Sequence, residues 1–136
     1  MKFVFICDEN YLKGDLLSFV NNFPTNHELI RVGAEDLLRT KSLPEGVFAI
    51  LVERMTWQKS FSLFRYFGLL PILEVLPLAV VSKYRRSEPL KGRIAARNLE
   101  VYFNPTATPE ELFLALDKFI AAPPASITYS RGLAHR

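Results

Sequence analysis

Residues 2–7 read KFVFIC and are followed at once by Asp8 and Glu9; residues 47–52 read VFAILV and are followed by Glu53. Runs this continuously apolar suit strands covered on both faces, because a half-exposed strand would alternate apolar with polar residues. Comparable runs lie at 28–32, 77–82 and 99–103, the last two closed by Ser82 and by Asn104 ahead of Pro105. Between them stand stretches with helical spacing. The chain therefore reads as five βα units with short connections, an α/β fold for which the doubly wound, all-parallel order 2-1-3-4-5 is the expected solution. In such a sheet the carboxyl ends of neighbouring strands converge on one crevice. Asp8, Glu9, Glu53, Ser82 and Asn104 are then expected to line it together.

The helices are signalled unequally. A first helix over about 10–22 carries Leu12, Leu16, Phe19 and Val20 on one side and stops at Pro24. A short second helix runs from Glu35 to Lys41 and ends before Pro44. A third, over 57–68, aligns Trp57, Phe61 and Phe64, which read as helix–sheet core; on an exposed helix they would mark a dimer or partner interface. It runs into the unusual segment GLLPILEVLP. A fourth, Ser87 to Asn98, has Pro89 in its first turn and is weakened by Gly92. The fifth carries Thr108 as N-cap, Pro109 at its first position and Glu111 to complete a capping box.

The chain has 136 residues, enough for one three-layer domain over 1–122, with an aperiodic, flexible tail over 123–136. Its single cysteine, Cys7, has no partner in the chain and reads as a small core residue in a reducing compartment. No secretory signal is evident at the amino terminus. The longest apolar stretch, 69–81, is broken by Pro71, Glu74 and Pro77, so the expectation is a soluble, cytoplasmic protein.

With five polar strand ends in this order, residues 1–122 resemble a receiver domain of bacterial two-component response regulators, the flavodoxin-like module of phosphorelay signal transduction. The resemblance implies that Asp8 and Glu9 match the acidic pair that holds a divalent metal. It puts Glu53 at the phosphoacceptor position, Ser82 at the hydroxyl that meets the phosphoryl group, and Asn104-Pro105 where the family has Lys-Pro. The departures bear on chemistry. Glu53 is one methylene longer than Asp, and in-line phosphoryl transfer depends on placement. Asn104 can hydrogen-bond but supplies no cation. The loop RMTWQKSF lacks the family's Pro and Asp-Gly turn, and Val101 stands where a switch aromatic is usual, with Tyr102 on the opposite strand face.

The resemblance then implies an atypical, stand-alone pseudo-receiver without enzymatic activity, acting by protein–protein contact without a phosphorylation cycle. Asp8, Glu9 and Glu53 would form a Mg²⁺ site weaker than that of an intact receiver, with Arg54 or Lys83 folding over it as an alternative counter-charge. A carboxylate at position 53 would imitate part of the charge of a phosphorylated acceptor. A further reading keeps the reaction, with Glu53 accepting phosphate.

A second cluster speaks to partners. Lys83, Arg85, Arg86, Lys91, Arg93 and Arg97 stand against Glu88 alone in 83–97, while the whole chain carries a net charge of +3. Such a face suits an acidic protein surface, a sensor kinase or a downstream target, or a second copy in a homodimer. A nucleic-acid backbone is the alternative partner, less favoured because only Tyr84 is available for stacking. Catalytic readings are weaker still. The turn DENYLKG after the first strand is acidic where a phosphate loop needs glycines, and His27 and His135 are too far apart to suggest a nucleophile pair.

Overall fold

A computed structural model describes residues 1–83, 90–92 and 101–123. Strands β1 (Lys2–Ile6), β2 (Glu28–Val32), β3 (Val47–Val52), β4 (Leu78–Val81) and β5 (Val101–Phe103) form one sheet in the order β2-β1-β3-β4-β5. Every neighbouring pair is parallel, with Val4 opposite Ile30 and Ile50, and Val80 opposite Val52 and Tyr102. The doubly wound order expected from the alternation of runs and helices is the one observed.

The two-residue period of each strand divides the core. Val4, Ile6, Ile50, Val52 and Val80 face α2 (Ala34–Thr40), α3 (Arg54–Tyr66) and a short α4 (Leu70–Leu73). Phe3, Phe5, Cys7, Leu51, Val81 and Phe103 face α1 (Asp15–Asn21) and α5 (Pro109–Ala121). Trp57, Phe61 and Phe64 of α3 are buried in the first layer, as their spacing predicts. Tyr102 packs with the α3 layer and Val101 with the α5 layer, on opposite faces of β5.

Three boundaries differ from the sequence reading. The helix expected over 10–22 is interrupted: a single 3-10 turn (Glu9–Tyr11) precedes α1, and Gly14 between them has φ 55°, a left-handed conformation that a side chain disfavours. Helix α3 begins three residues earlier than the expected 57, because Glu53 caps it directly from the strand end. Helix α4 was not anticipated as a helix; Pro71 sits in its first turn while Leu70 and Leu73 fill the core. The link between α3 and α4 is a Schellman end, with Gly68 (φ 73°) donating to the Arg65 carbonyl at 3.2 Å and Leu69 to that of Phe64 at 2.8 Å. Helix α5 carries the expected capping box, the Thr108 amide donating to Glu111 Oε1 and the Glu111 amide to Thr108 Oγ1. Of the helix expected over 87–98, residues 90–92 are described and are not helical, with Gly92 at a positive φ of 85° that a helix does not admit; its other residues, the start of the strand expected over 99–103, and the tail beyond 123 lie outside the described residues.

Helix α3 also holds the middle of the basic segment. Trp57 Nε1 donates to the Lys91 carbonyl at 3.1 Å, the Lys91 amide donates to Gln58 Oε1 at 3.0 Å, and Leu90 is buried in the same layer. Gly92, at φ 85°, lies so close to the Phe61 ring that a Cβ there would sit 2.8 Å from Cε1.

Candidate functional site at the carboxyl edge of the sheet

Each strand hands its next residue to the carboxyl edge, and those residues are mainly engaged in starting helices and turns. Glu53 leaves β3 with its amide on the Ile6 carbonyl at 2.8 Å, and its backbone is still extended (φ −88°, ψ 128°). Its carboxylate then turns back over the first turn of α3. Oε2 accepts the Met55 amide at 2.8 Å, and Oε1 accepts the Thr56 amide at 2.7 Å and the Thr56 hydroxyl at 2.8 Å. Two of the amides that a helix N-terminus leaves without intrahelical partners are thus satisfied, and the negative charge sits at the positive end of the helix dipole. The Glu53 side chain is almost wholly buried.

Thr56 extends the network to β1. While its hydroxyl donates to Glu53, Thr56 Oγ1 accepts the Asp8 amide at 2.9 Å, and Thr56 itself is fully buried. Asp8 Oδ1 in turn accepts the Ala34 amide at 2.8 Å, at the first position of α2. One chain of hydrogen bonds therefore ties the end of β1 to the starts of both α2 and α3. Thr56 was not picked out from the sequence, although the spacing Glu53-X-X-Thr56 after a strand, a capping box with its residue types reversed, marks the pair.

The remaining sequence-derived residues are placed differently. Glu9 lies exposed in the 3-10 turn. Asn104 Oδ1 accepts the amide and the hydroxyl of Thr106, at 2.9 and 2.8 Å, closing its own turn rather than reaching across the edge. Ser82 is half-buried, with its amide on the Phe103 carbonyl at 3.0 Å. The two cations expected to fold over the acids are directed elsewhere. Arg54 is buried and its Nη2 donates to the Tyr102 hydroxyl at 2.5 Å, with the guanidinium 6.0 Å from the ring centre. Lys83 pairs with Asp15 of α1 at 3.4 Å. Among the described residues no group of three or more His, Cys, Asp or Glu side chains is arranged to hold a metal ion.

An open polar cleft does exist at this edge, displaced toward β2. It has a volume of about 510 Å³ and is lined by Asp8, Glu9, Arg31, Glu35, Asp36 and Ser60 among others, without Glu53. Arg31 Nη1 donates to the Cys7 carbonyl at 2.8 Å. The hydrogen bond that Asp36 accepts from the Gly33 amide holds its carboxyl below the usual range, with Arg39 adding to the effect against partial burial. Arg31 and Asp36 carried no distinguishing sequence signal, since each is an ordinary choice on a β2 or α2 surface.

Cys7 stands just behind this edge. Burial foremost, and then the charge of Glu53, push its thiol up to about 12 against the opposing pull of Arg31. A neutral, enclosed thiol is a poor nucleophile. Native protein is expected to resist a thiol reagent such as DTNB at pH 8 and to react fully once unfolded in denaturant; fast labelling of the native state would contradict the burial of Cys7. Because its folded-state pKa is raised, Cys7 stabilises the fold fully below the unfolded thiol's range, and that contribution is lost as the pH climbs toward 12.

No helix among the described residues is long and apolar enough to cross a membrane. Comparison of the chain with protein-family models, with curated proteins and with solved structures finds no match in any of the three.

Proposed function

We propose that the chain is an atypical receiver that takes part in signalling by protein contact and runs no phosphorylation cycle. The observation that carries this reading is the engagement of Glu53. A phosphoacceptor must present one carboxylate oxygen in line with phosphorus. Both oxygens of Glu53 instead accept hydrogen bonds from Met55 and Thr56. Forming an acyl phosphate would strip acceptors from the buried donors of Thr56, at about 1–3 kcal/mol for each group left unpaired. The two cations expected as counter-charges, Arg54 and Lys83, meet the Tyr102 hydroxyl and the Asp15 carboxylate.

The sheet order and the polar strand ends support the receiver part of the reading. Contact with an acidic partner rests on the basic segment. Of its six cations, Lys83 and Lys91 are described, with Lys91 exposed and its backbone gripped by Trp57 and Gln58; Arg85, Arg86, Arg93 and Arg97 lie outside the described residues.

The test is incubation with Mg²⁺ and acetyl phosphate, followed by intact-mass measurement of wild type and Glu53→Ala. Unchanged masses are expected for both. A gain of one phosphoryl group, whether abolished in Glu53→Ala or retained there on another residue, overturns the phosphorylation-independent reading.

A further inference from the structure

Two apolar features on opposite sides of the sheet stand exposed among the described residues. The first is a knob. Tyr66, the last residue of α3, is 80% exposed, and its ring stands at 90° to that of Phe67 with centres 4.9 Å apart. The Schellman end at Gly68 fixes the backbone that carries this pair, so little conformational freedom is left to lose on docking. A cation flanks it, Lys41 Nζ lying 5.5 Å from the Phe67 ring centre.

The second feature is a groove of about 800 Å³ between the end of α1 and the start of α5. Phe23, Pro24, Pro109, Phe113 and Leu114 contribute its apolar lining, and Glu110 supplies an acid. Phe113 and Leu114 are 41% and 60% exposed, an unusual state for two consecutive large apolar residues on a helix whose Leu112 and Leu116 are buried. Glu111 and Asp117 are exposed on the same helix.

We propose that these surfaces recognise each other between copies of this chain, Tyr66 and Phe67 of one molecule entering the α1–α5 groove of the next. Shape and charge agree, since an exposed aromatic knob beside Lys41 meets a concave apolar groove beside Glu110. The knob belongs to the layer that covers Val4 and Ile6, the groove to the layer that covers Phe3 and Phe5. A molecule therefore cannot seat its own Tyr66. The contact is head-to-tail, so it does not close on itself as a two-fold dimer does, and each added copy presents a fresh knob and a fresh groove. The contact is small, which suits a weak, concentration-dependent assembly.

The test is sedimentation equilibrium over a concentration series with wild type, Tyr66→Ala and Leu114→Arg. Both positions are exposed, and far-UV circular dichroism checks that the variants are folded. Wild type is expected to show an average mass that rises with concentration without settling at the dimer. Each variant alone is expected to associate at least about tenfold more weakly, as loss of an interface anchor requires. An equimolar mixture of the two is expected to form dimers and nothing larger, because Tyr66→Ala retains a groove and Leu114→Arg retains a knob. Wild type that stays monomeric, a wild-type mass that plateaus at the dimer, or a mixture that behaves as the separate variants do, overturns the proposal. The outcome is independent of the phosphorylation test, which reads the other end of α3.

Discussion

Trp57→Ala is expected to lower the free energy of unfolding by about 4 kcal/mol, in the middle of the range for truncating a large buried aromatic. Trp57 has no solvent exposure, and its ring packs 6.0 Å from Phe61 and 5.9 Å from Phe64 between α3 and the sheet. Removing the indole takes away the transfer energy of the largest side chain in that layer and opens a cavity that rigid strands on one side cannot collapse to fill. It also removes the donor to the Lys91 carbonyl. Trp57→Phe restores much of the volume but not the donor, and is expected to cost about 1–3 kcal/mol, the penalty of an unpaired polar group. Urea denaturation of the three proteins measures the series. A companion readout is tryptic cleavage after the exposed Lys91, which should accelerate in both variants as the 90–92 segment loses its grip on α3. A Trp57→Ala protein within 1 kcal/mol of wild type would contradict the burial assigned to this ring.

Glu53→Ala is the second large effect, expected to destabilise by about 2–3 kcal/mol from the lost cap together with the stranded donors. Three hydrogen bonds vanish together, and the amide of Thr56 is left enclosed beside a hydroxyl that has also lost its acceptor. Glu53→Gln tests how far charge matters. Its amide can still accept through one oxygen, but its NH₂ group faces backbone donors where the second carboxylate oxygen stood. The expected order of stability is Glu, then Gln, then Ala, read from thermal or urea unfolding at neutral pH. Were Ala as stable as Glu, the capping geometry would be wrong. Asp8 belongs to the same network through Thr56, so substitutions at 8 and 53 are expected to couple rather than add.

The sheet was open to reading because burial on both faces leaves a strong trace: KFVFIC and VFAILV can hardly be anything but central strands, and the short connections then restrict the topology. Helix α5 was equally clear, since Thr108, Pro109 and Glu111 each have a distinct physical reason to stand where they do. The edge was harder. Asp8, Glu53 and Asn104 sit where a convergent site would need them, but carboxylates and amides are also the residues that start helices and turns, and a sequence does not give the side-chain torsions that decide between the two. Folding shows Asp8 on Ala34, Glu53 on Met55 and Thr56, and Asn104 on Thr106. Thr56 escaped notice because a lone threonine one turn into a helix is unremarkable until its neighbour across the sheet is known. Charge alone points Arg54 at the acids, whereas the fold brings it to the Tyr102 hydroxyl on β5.

The closed cap at Glu53 bears on time as well as on chemistry. A module that is covalently marked keeps a memory of its input until the mark is removed, and a second enzyme can set how long that lasts. A carboxylate held by Met55 and Thr56 keeps no such record. On the proposed reading, the duration of any message this chain carries is the residence time of whatever is bound to it, and its strength follows the local concentration of the partners.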